Sequence, residues 1–206
     1  MKLVLATRNR GKIEEFRRAL EPLGVELRSA LDTDLGPAPE ESGSSYEENA
    51  LIKAAHATHV TGLVALADDS GLEVDALGGG PGIYSARFGG RLSEGERIAH
   101  LLQKMKNVPE GERSAKFRCV LVLAGPNGRV RSFEGSCEGR ILPGPRGERG
   151  HGYDPVFWSP DLGKTFAEAT TEEKEAVSHR GQAVASLLEW AKDGLAGFVD
   201  EERAAD

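Results

Sequence analysis

The chain has 206 residues, of which 29% are charged, and its net charge is -7. This length suits one domain with its own core, and the acidic balance argues against a broad nucleic-acid surface. Cys119 and Cys137 are too few for a disulfide framework, so we expect reduced structural thiols. No apolar run has membrane-spanning length and the N-terminus lacks a signal-peptide layout, so we expect a cytoplasmic protein.

The first part of the chain alternates strand-like and helical patterns. Leu3–Ala6 predicts a buried strand, and the polar segment Thr7–Lys12 breaks it. Ile13, Phe16 and Leu20 then recur at helical spacing. This strand-to-helix junction is neither a Walker loop nor a dinucleotide fingerprint, and as a lone pattern it is a weak signal.

The same patterns predict the remaining elements. Further helices are expected at residues 45–59, 92–106 and 178–192. Further strands are expected at residues 25–27, 63–67, 72–76, 116–123 and 130–135, and Gly- and Pro-rich segments between them predict loops. The last two strands flank Gly125–Gly128, which indicates an antiparallel hairpin. The result is a mixed α/β chain.

Two adjacent acids, Asp68 and Asp69, follow the apolar run Leu63–Ala67 and precede Ser70-Gly71. This pattern predicts a strand that ends in a turn, at the position where open α/β folds keep their ligands. Buried acids need a cation to offset their charge, and a divalent metal carrying phosphates would supply it. A solvated turn is the alternative for the same two residues.

The junction after the first strand is a candidate anion site. Free backbone N–H groups and the dipole of the following helix favour an anion there, and Lys12 adds a positive charge. Thr7 and Asn9 offer side-chain hydrogen bonds. An ordinary strand-to-helix turn is the alternative explanation.

An acidic loop ends at Glu40-Glu41-Ser42-Gly43, ahead of the second predicted helix. One of its carboxylates is a candidate to complete a Mg²⁺ site with the acids of the strand. Glu47 and Glu48 are better explained by the dipole of the helix that they begin. Lys53 lies one helical turn from Asn49, where it can reach a phosphate, although a solvated lysine is the ordinary expectation.

The last third of the chain holds a Gly-rich aromatic segment, residues 150–158. Rings beside glycines can stack on a planar base, although core packing is the better explanation of Phe157 and Trp158. Thr170 and Glu173 fit a capping box. Ser178 fits the N-cap of the final helix, with His179 and Arg180 as donors that point outward.

Five long stretches of this sequence closely resemble the inosine/xanthosine triphosphate pyrophosphatase family, whose members remove non-standard purine nucleotides. They occur in family order and extend over residues 3–183, and they are "LATRNRGKIEEF", "EESGSSYEENALIKA", "LADDSGLEVDALGGGPGIYSARF", "GHGYDPVF" and "EEKEAVSHRGQA". Motifs of this length in series are far more specific than any short pattern.

The resemblance implies a fold and an activity. The fold is one domain over residues 1–206, with two lobes around a long mixed sheet flanked by helices and an active-site cleft between the lobes. The activity is Mg²⁺-dependent hydrolysis of ITP, dITP and XTP to the monophosphate and pyrophosphate. The resemblance also implies a homodimer that cleanses the nucleotide pool.

The resemblance further assigns roles to the residues that match the family motifs. Asp69 becomes the general base, Glu40 and Asp69 become metal ligands, and the adjacent Glu41 remains a candidate. Residues implied in substrate binding are Thr7, Arg8, Asn9, Arg10, Gly11, Lys12, Lys53, Ser70, His151, Gly152, Tyr153, Asp154, Lys174, His179 and Arg180. His151 departs from the family, which commonly has Phe there, and this weakens the expected stacking on the base.

The implied mechanism is attack by water at the α-phosphorus, with Asp69 as the proton acceptor at an ordinary low pKa. Donors from His179 and Arg180 match the oxo group at C6 of hypoxanthine and xanthine and oppose the amino group of adenine. Two enzymatic or binding alternatives remain, a nucleotide-binding regulatory module and a pyrophosphatase for another modified nucleotide. RNA binding through the cationic residues at 87–97 and 113–118 is a third and weaker alternative.

Overall fold

The computed structural model describes residues 1–199, apart from the side chains of residues 196, 197 and 199. The five α-helices of this part of the chain are α1 (Arg10–Ala19), α2 (Tyr46–Thr61), α3 (Glu94–Lys104), α4 (Thr171–Val177) and α5 (His179–Val199). The strands are β1 (Lys2–Leu5), β2 (Glu26–Ser29), β3 (Val64–Val74), β4 (Ser114–Ala124), β5 (Val130–Ile141), β6 (Phe157–Ser159) and β7 (Lys164–Thr165).

The seven strands form one mixed sheet in the order β2-β1-β3-β4-β5-β6-β7. β1 is parallel to both of its neighbours, with Leu3 opposite Leu27 of β2 and Val64 of β3. β6 is antiparallel to β5 and β7. The predicted α/β class, with helices flanking a mixed sheet, is confirmed. The predicted hairpin is confirmed as well, since β4 and β5 are neighbours in the sheet and the Gly125 N–H closes their turn on the Arg129 carbonyl at 2.9 Å.

The prediction for the centre of the sheet was wrong in one respect. Residues 63–67 and 72–76 are not a strand and a return strand, because β3 runs without a break from Val64 to Val74 and a 3-10 helix follows at Asp75–Leu77. Asp68 and Asp69 therefore lie inside a strand. The acidic pair does not force a turn, because lysine side chains from two helices offset both carboxylates, as described below.

The chain divides into two compact units. The first unit contains Met1–Asp69, Val120–Glu134 and the residues from Ala183 onward, and the second contains Ser70–Cys119 and Gly135–Gln182. Strands β3, β4 and β5 each contribute residues to both units. The boundary in β3 falls between Asp69 and Ser70.

Each unit has apolar packing of its own. In the first unit, buried residues from β1, β3, α2 and the loop after β2 pack together; they are Val4, Ala30, Leu35, Ala57 and Ala65. The larger cluster of the second unit contains Leu72, Val74, Ile98, Leu101, Met105, Ala115, Phe117, Cys137, Ile141, Tyr153, Val156, Phe157 and Phe166. Its rings contact one another, for example Phe117 and Phe157 with centroids 4.5 Å apart.

Both cysteines are buried in strands and are not joined in a disulfide, as predicted. None of the helices in residues 1–199 combines the length and apolar composition needed to cross a bilayer.

Candidate active site

In the first unit, the register of the parallel strands brings the loop Thr7–Lys12 to the acidic pair. Leu5, the last residue of β1, lies opposite Leu66, and the Ala6 N–H donates to the Leu66 carbonyl at 2.8 Å. Asp68 and Asp69 follow two and three residues later in β3. The acids thus lie just beyond the carboxyl end of β1, which is where parallel α/β sheets place their ligands.

The polar side chains of this loop first organise the loop itself. Asn9 is the N-cap of α1, and its Oδ1 accepts a hydrogen bond from the Lys12 N–H at 3.1 Å. The Thr7 hydroxyl accepts from the Asn9 N–H at 3.2 Å, and Arg8 donates to the Gly36 carbonyl of the acidic loop. Arg10 and Gly11 are exposed in the first turn of α1. These hydrogen bonds hold the start of α1 in place directly after β1.

Lys12 and Asp68 form a close ion pair, with Nζ 2.7 Å from Oδ2. The side chain of Asp68 is only 1% exposed and that of Lys12 is 18% exposed. The ammonium group from α1 thereby compensates the charge of a buried carboxylate inside β3. This pairing excludes the interpretation of Asp68 as part of a solvated turn.

Lys53, from α2, connects the other acid of the pair to the acidic loop. Its Nζ lies 3.0 Å from Oδ1 of Asp69 and 3.1 Å from Oε1 of Glu41. The expectation of a solvated lysine was therefore wrong, because the side chain is mostly buried between two carboxylates. Glu41 is half-buried here, whereas Glu40 is exposed.

The electrostatic balance at Asp69 is unusual for a carboxylate with a lysine partner. Burial raises the pKa of Asp69, the nearby charges of Glu41 and Asp68 act in the same direction, and Lys53 offsets only part of the shift. The ordinary low pKa expected from the sequence was therefore wrong. At Lys53, burial disfavours the charged form, but the surrounding carboxylates outweigh burial and raise the pKa.

The donor set of the first unit suits a hard cation. Asp69 and Glu41 present carboxylate oxygens, with Glu40 next in the chain, and their charge exceeds that of the lysine they share. Within residues 1–199, no three His, Cys, Asp or Glu side chains are close enough together to hold a metal ion unaided. A site of this kind fits Mg²⁺, which usually takes one or two carboxylates and completes its shell with water and substrate phosphates.

In the second unit, Asp154 organises the turn that contains His151 and Gly152. Its Oδ2 accepts from the His151 N–H at 2.9 Å and from the Lys174 ammonium at 2.6 Å. Gly150 lies directly against this carboxylate, where a Cβ would come within 2.1 Å of Oδ2. Asp154 and Lys174 are both buried, so the pair acts as a fixed support for the turn.

The side chain of Tyr153, in the same turn, points into the core. Its ring belongs to the apolar cluster of the second unit, and its hydroxyl donates to the Ser85 carbonyl at 3.0 Å. Burial raises the pKa of this phenol. Tyr153 can thus contribute backbone atoms to a ligand, while its ring packs in the core.

His179 is buried, contrary to the expectation of an outward-pointing donor. Its ring stacks on Phe117 with centroids 4.7 Å apart and an interplanar angle of 12°, and Nδ1 lies 3.9 Å from the Cys137 sulfur. Burial raises the pKa of that thiol to about 12. The sequence did not predict this environment, because apolar residues of β4 and β5 create it and neither strand is near His179 in the chain.

Arg180 follows at the start of α5, and it is also buried. Its guanidinium donates to the Ser70 hydroxyl at 3.2 Å, which joins two of the predicted substrate-binding residues. Ser178 caps the helix as predicted, with Oγ accepting from the Gly181 N–H at 3.1 Å. Gly181 packs so closely on the last turn of α4 that a Cβ would come within 1.8 Å of the Glu175 carbonyl oxygen.

The predicted capping box at Thr170 and Glu173 is present and begins α4, the helix that carries Lys174. Phe157 is fully buried and packs in the core, as expected. Two supporting residues, Ser85 and Asn49, were not predicted from the sequence. Asn49 had a usable signal, because it lies one helical turn before Lys53 on the same face of α2.

Known proteins resemble this chain over nearly its whole length. A family model described as the Ham1 family matches residues 3–190. Among curated relatives, a dITP/XTP pyrophosphatase of Thermus thermophilus is 55% identical over 194 residues, which cover 94% of this chain and 93% of the relative. One from Deinococcus radiodurans is 51% identical over 187 residues, with 91% of each protein covered.

Solved structures agree with the sequence comparison. A HAM1 protein from Coxiella burnetii superimposes with a TM-score of 0.86 at 40% identity, over 94% of this chain and all of that one. The Staphylococcus aureus Ham1 protein gives a TM-score of 0.84 at 38% identity, over 93% of this chain and 98% of that one. By sequence and by fold, this chain belongs to the Ham1 family.

Proposed function

We propose that this protein hydrolyses non-standard purine nucleoside triphosphates, namely ITP, dITP and XTP, to the monophosphate and pyrophosphate. The observation that carries the proposal is the cluster at the end of β1. There, the buried acids Asp68 and Asp69 are paired with lysines from α1 and α2, beside a capped helix start. The names of the curated relatives, dITP/XTP pyrophosphatase, support the same substrate class.

The triphosphate is bound in this proposal by the loop Thr7–Lys12 and by Lys53. Backbone N–H groups at the start of α1 and the helix dipole attract phosphate oxygens. Lys12 and Lys53 supply the positive charge, and each exchanges part of its contact with a carboxylate for contact with a phosphate. Lys53 suits this exchange because it already divides its interaction between Asp69 and Glu41.

Asp69 is the proposed general base. It orients a water molecule for in-line attack and accepts its proton as the water oxygen bonds to the α-phosphorus. The bond from the α-phosphorus to the bridging oxygen breaks, and pyrophosphate leaves. Burial raises the pKa of Asp69, which makes its carboxylate a better proton acceptor.

The proposed cofactor is Mg²⁺, held by Asp69 and a carboxylate of the pair Glu40 and Glu41. When bound, Mg²⁺ neutralises charge that develops on the phosphate oxygens. Glu40 is the ligand that the family resemblance implies, and Glu41 is the one that shares Lys53 with Asp69. The variants Glu40→Gln and Glu41→Gln decide between them. Only substitution of the residue that binds the metal raises the Mg²⁺ concentration needed for half-maximal activity.

The second unit is proposed to bind the base and sugar. The turn at His151 and Gly152 offers an imidazole ring and backbone groups, and Ser70 and Arg180 offer polar side-chain groups. Lys174 and Asp154 hold this turn, and His179 begins α5 beside Arg180. A protein donor that faces C6 of the base matches the oxo group of inosine and xanthosine. The amino group of adenine is also a donor and is mismatched there, which discriminates against ATP.

Product analysis tests the proposal. The purified protein is incubated with Mg²⁺ and ITP, dITP, XTP, GTP or ATP, and the products are separated by ion-exchange chromatography. IMP, dIMP or XMP with pyrophosphate, and little product from ATP, is the expected result. A diphosphate with orthophosphate contradicts attack at the α-phosphorus, and no turnover favours a binding module or another nucleotide.

The proposal extends to the assembly and location of the protein. Residues 1–206 are taken as one functional domain, and the protein as a cytoplasmic homodimer. Sedimentation velocity on the purified protein tests the dimer, for which a single species of monomer mass is the contradicting result. Cell fractionation tests the location.

A further inference from the structure

Asn49 is a fully buried polar residue on α2 whose side-chain amide contacts two parts of the candidate site. Its Oδ1 accepts a hydrogen bond from the Gly43 N–H at 2.9 Å, at the end of the acidic loop. Its Nδ2 faces Oδ2 of Asp69 at 3.5 Å. A buried amide is stable only when its donor and acceptor are both used, and here both are used by site elements.

The chemistry of the partners fixes the orientation of this amide. A backbone N–H can only donate, so the oxygen of Asn49 must face Gly43, and the NH₂ group must then face Asp69. Lys53, one turn later on α2, donates to the other oxygen of Asp69 at 3.0 Å. One face of α2 therefore approaches both oxygens of the catalytic carboxylate with donors, which restricts rotation of that group.

The contact with the acidic loop is equally close. A Cβ on Gly43 would come within 2.7 Å of Cβ of Glu48 and 2.8 Å of Oδ1 of Asn49, so only glycine fits here without displacement. The segment Glu40–Gly43 carries the two glutamates that are alternative metal ligands beside Asp69. Asn49 consequently links the position of this segment to the orientation of Asp69.

We propose that Asn49 is a positioning residue that orients the Asp69 carboxylate and aligns it with the acidic segment Glu40–Gly43. The inference rests on the proposed function, in which Asp69 is the general base. Lys53 is drawn toward phosphate when substrate binds, whereas the neutral amide has no such competing attraction. Asn49 is then the donor that keeps Asp69 oriented, and its 3.5 Å contact is of the kind that shortens in a substrate complex.

Three substitutions test this role, with Glu47→Gln as the matched control on an exposed position of the same helical turn. Asn49→Asp keeps an acceptor for Gly43 but presents an oxygen to Asp69. Asn49→Ala removes both contacts. Gly43→Ala displaces the acidic segment and the amide without changing the identity of Asn49 or Lys53.

For ITP hydrolysis by Asn49→Asp, we expect kcat to fall about 10- to 100-fold, the range typical of residues that hold a metal ligand, while KM stays within about threefold. Asn49→Ala and Gly43→Ala should lower kcat as well, and in addition they should raise the Mg²⁺ concentration needed for half-maximal activity. Glu47→Gln leaves all three quantities unchanged. Loss of folded protein also lowers the apparent kcat without changing KM, so thermal unfolding is measured and kcat is expressed per folded protein. The rise in the Mg²⁺ requirement separates positioning from a smaller active fraction, which leaves that concentration unchanged.

Wild-type kcat in Asn49→Asp overturns the proposal, and so does recovery by Asn49→Asp of the activity lost in Asn49→Ala. Crystal structures give a readout that is independent of turnover. The expected result is a rotated Asp69 carboxylate in Asn49→Asp relative to Glu47→Gln, and an unchanged carboxylate overturns the inference. If the wild-type protein hydrolyses none of the nucleotides, the proposed function fails, while the crystallographic comparison still decides the role of Asn49.

Discussion

The two units pair their buried carboxylates and cations in opposite ways. In the first unit one cation serves two acids, since Lys53 contacts both Asp69 and Glu41. In the second unit one acid collects two donors, since Asp154 accepts from Lys174 and from the His151 N–H. A lysine shared by two carboxylates can exchange one of them for a phosphate at a small cost in free energy. A carboxylate that accepts from two donors fixes the positions of both. The first arrangement suits substrate binding and the second suits a rigid support.

The sharpest test of the comparison is Asp69→Asn in the first unit. It removes the proposed proton acceptor but keeps the size of the side chain, so kcat should fall about 10²- to 10⁴-fold with little change in unfolding midpoint. Steady-state kinetics with ITP measure the effect, and the exposed Asp75→Asn is the control. A near-wild-type kcat would remove Asp69 from the mechanism.

In the second unit the corresponding test concerns stability. Lys174→Gln leaves the buried carboxylate of Asp154 without its cation, which should cost about 3–5 kcal/mol of unfolding free energy. Lys164→Gln is the matched control, because the side chains of its pair with Glu173 are 35% and 41% exposed and the pair should contribute much less to stability. Urea unfolding measures both. Equal losses in the two variants would contradict the assignment of a rigid support to the second unit.

Arg180→Ala should change selectivity more than stability. Loss of a donor to the oxo group at C6 should reduce the preference for ITP over ATP about tenfold in kcat/KM, equivalent to about 1.4 kcal/mol. Arg140→Ala, which removes a guanidinium lying over Trp158 in the same unit, is the control. An unchanged preference would show that another group recognises the base.

A further loss of stability is expected in alkaline solution. The folded pKa of Cys137 is about 12, above its ordinary value of 9.0, so between these values the unfolded chain loses a proton that the folded chain keeps. Stability from this thiol is complete below pH 9 and falls by about 1.4 kcal/mol per pH unit up to about pH 12. Cys137→Ala should lose less stability over this range, while Tyr153 affects both proteins equally. Parallel curves from urea unfolding would refute the shift.

Local patterns in the sequence predicted the local features of this fold. The Thr170–Glu173 capping box, the Ser178 cap and the hairpin around Gly125 each depend on residues a few positions apart, and all three are present. The residue patterns and the family resemblance both predicted a mixed α/β fold.

The failures involve contacts between residues that are distant in the chain. The segment Asp68–Gly71 has the composition of a turn, yet it remains extended because Lys12 and Lys53 arrive from helices 56 and 16 residues away. The environment of His179 depends on Phe117 and Cys137 in the same way. Propensity describes a residue with its neighbours in sequence, so it cannot register an ion pair or a ring stack that tertiary structure creates.

Gly181 shows how a specificity change can arise at a residue with no side chain. Any larger residue there would push the start of α5 away from the Glu175 carbonyl, and His179 and Arg180 would move with the helix. A genetic screen for altered nucleotide preference should therefore recover substitutions at this glycine alongside those at Arg180. The evolution of new substrate ranges in such a chain is constrained as much by backbone clearance between two helices as by the groups that touch the base.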